Sequence, residues 1–108
     1  MTKPVLAALS DPVSPEKEEE FNTWYNEVHL KEMSEIPGIA GIRRYRLADG
    51  PGAESATHRY LALYEVDGDP AAVFSELGAR RGRMTMSDAF DAAGARLDLW
   101  VPVEGGSA

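Results

Sequence analysis

The feature that most constrains this chain is a run of apolar residues with helical spacing that is sharply delimited at both ends. Apolar side chains recur every three or four residues from Phe21 to Ile36, the spacing of one helix face. Ser14 and Pro15 suit a helix cap and a first turn, and Pro37-Gly38 must end the helix because proline breaks the pattern. The sequence therefore predicts one helix of about six turns at 3.6 residues per turn.

Short apolar runs predict four strands around this helix and a second one. The strands are predicted over residues 5–9, 39–47 and 58–66 and over an alternating run from Leu97 to Val103. Asp69 and Pro70 predict the start of the second helix. Glycines interrupt the pattern beyond residue 77, and a short further helical piece is predicted from Met84 to Phe90. The order β-α-β-β-α-β predicts an α+β, ferredoxin-like fold with a four-stranded antiparallel sheet.

The predicted sheet has two apolar faces, and two helices can cover only one of them. The length of 108 residues fits one domain, which we predict over residues 1–104 with a flexible tail over 105–108. The third predicted strand carries aromatic residues on one face and leucines on the other. Because a large exposed apolar patch marks an interface, we expect a homodimer whose two sheets face each other around a pocket that the second subunit completes.

Composition excludes several classes of partner and site. The net charge of −7, from 11 basic and 18 acidic residues, counts against nucleic acid as a partner. The absence of cysteine excludes disulfides and zinc–thiolate sites. No apolar run approaches the ~20 residues needed to cross a membrane, and residues 1–5 lack the apolar core of a signal peptide, so we expect a cytoplasmic protein.

Three polar side chains on the first helix form a candidate acid–base set. Tyr25 and His29 are four residues apart, and His29 and Glu32 are three apart, so each pair lies within reach on a helix. His29 titrates near neutral pH, Glu32 can orient its ring, and the Tyr25 hydroxyl can stabilise an oxyanion. The alternative is that Tyr25 belongs to the core, His29 to the helix flank and Glu32 to the solvated surface.

The sequence predicts neither a metal nor an organic cofactor. Only His29 and His58 are present, and they do not have the spacing of a metal site. The sequence has no glycine-rich nucleotide loop in a strand–helix setting and no Gly-x-Ser-x-Gly motif. Haem ligation by His29 is chemically conceivable, but an aromatic pocket alone does not indicate haem.

The first helix, its exit and the next strand resemble the EthD-like family of the dimeric α+β barrel superfamily. The residues concerned are Phe21 to His29 with the sequence FNTWYNEVH, then Pro37-Gly38, then Arg43-Arg44-Tyr45. The resemblance covers nearly the whole chain, but only the helix stretch is specific. It implies a homodimer in a superfamily that includes cofactor-free monooxygenases, polyketide cyclases, lactone isomerases, dehydratases and haem-binding members.

Together these features favour an enzyme that transfers protons on a small apolar or aromatic carbonyl compound by cyclisation, dehydration, isomerisation or decarboxylation. The alternatives are a cofactor-free monooxygenase of a quinol-like substrate and a non-catalytic protein that binds a hydrophobic metabolite. The expected catalytic residues are His29, Tyr25 and Glu32. Five aromatic and basic residues are expected to contact the substrate: Trp24, Arg43, Tyr45, Tyr60 and Tyr64.

Overall fold

The computed structural model describes residues 2–108 and has a four-stranded antiparallel sheet with helices on one face. The strands lie in the order β2-β3-β1-β4. Their bounds are β1, Val5–Ser10; β2, Ile39–Arg46; β3, Tyr60–Val66; and β4, Arg96–Trp100. β1 and β3 are the central strands, and each pairs antiparallel with both of its neighbours. The predicted ferredoxin-like α+β fold is therefore confirmed.

The predicted first helix forms, but it is not one regular α-helix. A 3-10 turn, Pro15–Lys17, precedes α1, Glu18–Trp24; a π-helical turn, Tyr25–His29, follows; and α2, Leu30–Ser34, completes the helix before Pro37. Ser14 occupies the extended position before the 3-10 turn, but its hydroxyl makes no capping hydrogen bond. Glu18, Glu19 and Glu20 in the first turn of α1 complement the helix dipole instead.

The second predicted helix begins at the expected residue. It is α3, Pro70–Arg80, and the Asp69 carboxylate accepts a hydrogen bond from the backbone N–H of Ala71. The shorter helix predicted from Met84 to Phe90 is wrong, because only a 3-10 turn, Arg81–Arg83, follows α3. The segment 84–95 bonds to residues 11–13 instead: Ala89 accepts from Val13 N, and Asp91 N donates to Asp11.

The last strand is also shorter than predicted. β4 ends at Trp100, which pairs with Val5, the first residue of β1. Beyond that point β1 has no residue left to continue the ladder, so Val101 and Val103 lie outside the sheet and are exposed.

Strand alternation sorts the sheet into a covered face and an open face, as predicted. Every second residue of β3, from Tyr60 to Val66, is buried beneath the helices. The core on this face consists mainly of aromatic and branched side chains: Leu6, Phe21, Trp24, Tyr25, Met33, Ile36, Tyr60, Tyr64, Val66 and Val73. No helix within residues 2–108 has the length and apolar character needed to cross a membrane.

Candidate functional site

A π-helical turn places Tyr25 and His29 side by side above the covered face of the sheet. The backbone N–H of Leu30 donates to the Tyr25 carbonyl, five residues back, which marks the widened turn. In a regular α-helix, residues four apart are separated by roughly 400° around the axis, which is about 40° more than a full turn. The wider π-helical turn rotates less per residue and so reduces this angle between the Tyr25 and His29 side chains. Their ring centroids are 4.9 Å apart in an edge-to-face arrangement. Such turns are frequent at functional sites.

A second tyrosine reaches Tyr25 from the sheet. The hydroxyl of Tyr64, on β3, lies 3.2 Å from the hydroxyl of Tyr25. Both side chains are almost fully buried, with 2% and 1% of their surface exposed for Tyr25 and Tyr64. Burial raises the pKa of both phenols, so each remains a neutral hydrogen-bond donor at physiological pH.

His29 is half-buried, and its imidazole is held in the neutral form. Its ring stacks on Trp24 at a centroid distance of 4.9 Å. Nδ1 is buried and has no hydrogen-bond partner within the described residues, so an imidazolium would place a proton where nothing accepts it. Burial, assisted by the charge of Arg44 and opposed by Glu32, lowers the pKa of His29 to about 4.

Arg44 lies on the covered face of β2, behind Tyr25. Its guanidinium is 4.2 Å from the centroid of the Tyr25 ring and donates to the side-chain oxygens of Asn26 and Asn22 at 2.8 and 2.9 Å. It also lies over the rings of Phe21 and Tyr60. These contacts hold the π-helical turn against the sheet, and the positive charge lowers the pKa of Tyr25 against the larger effect of burial.

The carboxylate of Glu32 points to the loop after α3 and makes no hydrogen bond to His29. It accepts hydrogen bonds from the backbone N–H and the hydroxyl of Thr85 at 3.0 and 3.1 Å. The indole Nε1 of Trp24 donates to the Thr85 carbonyl at 2.8 Å. Glu32 and Trp24 therefore fasten the segment 84–95, which we call the roof segment.

A cavity of about 300 Å³ lies between the helices, the sheet and the roof segment. Its polar groups come from Ser10, Tyr25, His29, Tyr64, Arg81 and Arg96, and its walls are otherwise apolar. The apolar lining consists of Ala8, Leu9, Met33, Leu77, Met84, Met86, Phe90, Ala92, Ala95 and Leu97. A volume at the low end of known ligand pockets, with a few polar groups together on an apolar wall, suits one small molecule.

The cavity is lined by residues of a single chain and lies on the covered face of the sheet, whereas the predicted pocket between two facing sheets remains a prediction. Of the predicted site residues, the structure brings His29, Tyr25 and Tyr64 together on its wall. Trp24 stacks on His29 without lining the cavity. Glu32 does not line the cavity either, and its carboxylate binds Thr85 of the roof segment.

Three other predicted residues lie away from the cavity. Arg43 and Tyr45 are on the open face of β2, where the Arg43 Nε donates to the Tyr45 hydroxyl at 3.1 Å and its Nη1 pairs with Glu65 at 2.9 Å. Tyr60 is buried on the covered face, but its hydroxyl donates to Glu18 and accepts from Asn22. None of the three lines the cavity.

Sequence reasoning missed Arg44 and the roof segment. Strand alternation places Arg44 on the face opposite Arg43, and that signal was available in the printed sequence. The roof segment has no regular structure, so no periodic pattern marks it. Within residues 2–108 no three His, Cys, Asp or Glu side chains are grouped as metal ligands.

Comparison with known proteins extends these observations. No protein-family model matches the chain, and no curated protein sequence matches it. Solved structures do match in fold. An ethyl tert-butyl ether D (EthD) family protein from Bacillus halodurans superposes with a TM-score of 0.70 at 20% identity, over 94% of this chain and 100% of that one. The chain has the fold of an EthD family protein.

Two further structures share this EthD-like fold. A proposed monooxygenase from Shewanella loihica superposes with a TM-score of 0.64 at 16% identity, over 95% of this chain and 97% of that chain. HapK from Hahella chejuensis superposes with a TM-score of 0.61 at 13% identity, over 97% of each chain. At these identities the likeness supports the resemblance noted in the sequence and shows the fold alone.

Proposed function

We propose that this protein is a cofactor-independent enzyme that transfers protons on a small apolar or aromatic carbonyl compound bound in the cavity. The observation that supports this most strongly is the grouping of a neutral imidazole, His29, with two buried hydroxyls, Tyr25 and Tyr64, on one wall of an apolar cavity. One group can accept a proton, while the others can donate hydrogen bonds to an oxyanion.

The proposed step begins with a carbon–hydrogen bond next to the substrate carbonyl. Neutral His29 takes the carbon-bound proton at its unprotonated ring nitrogen, and the electron pair of the broken carbon–hydrogen bond forms an enolate whose oxygen accepts a hydrogen bond from Tyr25. The imidazolium then returns the proton to the rearranged product. A negative ligand beside His29 favours the imidazolium and so raises the pKa of His29 from its low value in the free protein.

Hydrogen–deuterium exchange tests the proposal without knowledge of the natural reaction. Small aromatic 1,3-dicarbonyl compounds such as 1-phenylbutane-1,3-dione, incubated in D₂O, should exchange the carbon-bound proton faster with the protein than without it. The His29→Gln variant should lose about 100-fold or more of this rate, the usual contribution of a general base. Equal exchange by both proteins would remove His29 from the mechanism.

Oxygenation is the second candidate, because the structurally similar Shewanella loihica protein is described as a proposed monooxygenase. The same cavity would hold a quinol-like substrate, His29 would deprotonate a hydroxyl, and molecular oxygen would be the co-substrate. An oxygen electrode separates the candidates, since proton transfer consumes no oxygen. Ligand binding with neither exchange nor oxygen uptake, unaffected by His29→Gln, would favour a binding protein.

We also propose that two copies pair through the open face of the sheet. Val5, Ala7, Leu61 and Leu63 occupy the two central strands of that face and are only partly covered within one chain. Trp100 on the neighbouring strand is 61% exposed. Covering this apolar surface is the physical reason for pairing. Sedimentation equilibrium should find a dimer, and a monomer at high concentration would contradict the pairing.

A further inference from the structure

The charged residues along the cavity are all basic. Arg81 and Arg96 line it, and no aspartate or glutamate of the described chain does so. This is unusual in a protein with a net charge of −7. The nearest acid on the helix, Glu32, is bonded to Thr85 outside the cavity.

Arg81 and Arg83 lie in the same 3-10 turn without a carboxylate partner among the described residues, and of the two only Arg81 lines the cavity. Arg80 pairs with Glu76 at 2.8 Å, and Arg96 pairs with Asp98 at 2.6 Å. Within residues 2–108, the Arg81 side chain has neither an ion pair nor a side-chain hydrogen bond. It is exposed, directly after the last residue of α3, and so supplies a free guanidinium on the accessible side of the cavity.

A further positive charge lies behind one of the residues that line the cavity. Arg44 stands behind Tyr25, held by Asn22 and Asn26 rather than by a carboxylate. The carboxylate of Glu18, which lies on the same helix as Asn22, accepts a hydrogen bond from the Tyr60 hydroxyl. The charges nearest to the cavity wall are therefore those of arginines, and Arg81 is the one that lines the cavity without a carboxylate partner among the described residues.

We propose that the ligand of this cavity is an apolar or aromatic oxo acid, with its carboxylate held by Arg81 and its carbonyl oxygen directed at the Tyr25 and Tyr64 hydroxyls. A guanidinium matches a carboxylate in charge and in bidentate geometry, and a neutral ketone offers it neither. The assignment rests on the proposed function, because it names the substrate class of the same site.

A pair of probes with the same shape and different charge tests the assignment. 1-Naphthoate and 1-naphthamide are titrated into the protein by calorimetry, and NMR shifts of the His29 and Tyr25 resonances report binding in the cavity. The naphthoate should bind about tenfold or more tightly than the amide, as expected for one charge-assisted bidentate contact. Arg81→Met should abolish this preference, and Arg81→Lys should retain part of it.

Arg83→Met is the matched control, since it removes the same charge from the same 3-10 turn but from a residue that does not line the cavity. It should keep the full preference for the naphthoate. Equal binding of both probes in the cavity of the unaltered protein would overturn the charge assignment and leave the proton-transfer proposal standing. Failure of both probes to shift the His29 and Tyr25 resonances would also overturn the assignment of the ligand, while deuterium exchange of the dicarbonyl compound tests the proton-transfer proposal separately. Loss of the preference in Arg83→Met as well would also overturn the role of Arg81.

Discussion

The hydroxyls of Tyr25 and Tyr64 lie 3.2 Å apart although the two residues are 39 positions apart in the chain. One hydroxyl comes from the π-helical turn and the other from the central strand β3. Both lie on the cavity wall. Because each is buried and is the other's partner, the two tyrosines form one unit that links the stability of the core to the proposed chemistry.

Removing one hydroxyl of this pair should therefore affect both properties. Tyr25→Phe leaves the Tyr64 hydroxyl buried without its partner and should lower the free energy of unfolding by about 1–3 kcal/mol. It also removes an oxyanion donor, so deuterium exchange of a bound dicarbonyl should fall by about 100-fold. Tyr45→Phe, which removes a hydroxyl on the open face, should leave the exchange rate unchanged. An unaltered rate in Tyr25→Phe would exclude its hydroxyl from the reaction.

Glu32 should control the order of the roof segment, besides its charge raising the pKa of His29 against the larger effect of burial. Glu32→Gln leaves weaker acceptors for the Thr85 N–H and hydroxyl, since hydrogen bonds to a carboxylate are roughly twice as strong as neutral ones. Amide hydrogen exchange in residues 84–95 should accelerate, while exchange in the sheet stays unchanged. Glu35→Gln, a neighbouring substitution of an exposed acid, is the control. If Glu32→Gln altered deuterium transfer to substrate without loosening the roof segment, Glu32 would instead act directly on the reaction.

The protein should become less stable as the pH is lowered through a window set by the two pKa values of His29. Its pKa is about 4 in the folded protein and 6.5 in the unfolded chain, so the unfolded chain binds the extra proton between these values. The free energy of unfolding should decline as pH falls from 6.5 to 4, by up to roughly 3 kcal/mol from this group. Above pH 6.5 and below pH 4, His29 should no longer change the free energy of unfolding with pH, because the folded and unfolded chains then bind the same number of protons at this residue.

Denaturant unfolding across that window, compared between the unaltered protein and His29→Gln, isolates the histidine because the carboxylates are common to both. The variant should show a shallower decline. His58→Asn is the control for the loss of a histidine elsewhere in the chain. The ring of His58 forms hydrogen bonds with Thr57 and with the Gly94 carbonyl. Identical slopes in the unaltered protein and His29→Gln would contradict the burial of the His29 charge.

The fold could be predicted from the sequence because its signals are local. Alternation in β3 and the pair Asp69-Pro70 each specify one element, and the structure confirms both. The predicted helix from Met84 to Phe90 failed because that segment bonds to distant residues, among them Asp11 and Glu32. Contacts of this kind depend on the assembled fold, and no periodicity reveals them.

The site could be predicted only in part, for the same reason. Helical spacing brought Tyr25 and His29 together, and the structure places them in contact. The same spacing suggested a contact between His29 and Glu32, but Thr85 takes the carboxylate. Spacing within one helix shows which residues can meet, and the rest of the fold decides which partners they have.

The proposed chemistry depends most on a neutral His29 on the wall of the cavity. A ¹⁵N NMR titration of the imidazole, with His58→Asn used to assign the signals, measures this directly. We expect a titration midpoint near pH 4 in the free protein and an upward shift of the midpoint when 1-naphthoate is bound. A midpoint near the ordinary histidine value of about 6.5, unchanged by the naphthoate, would contradict it.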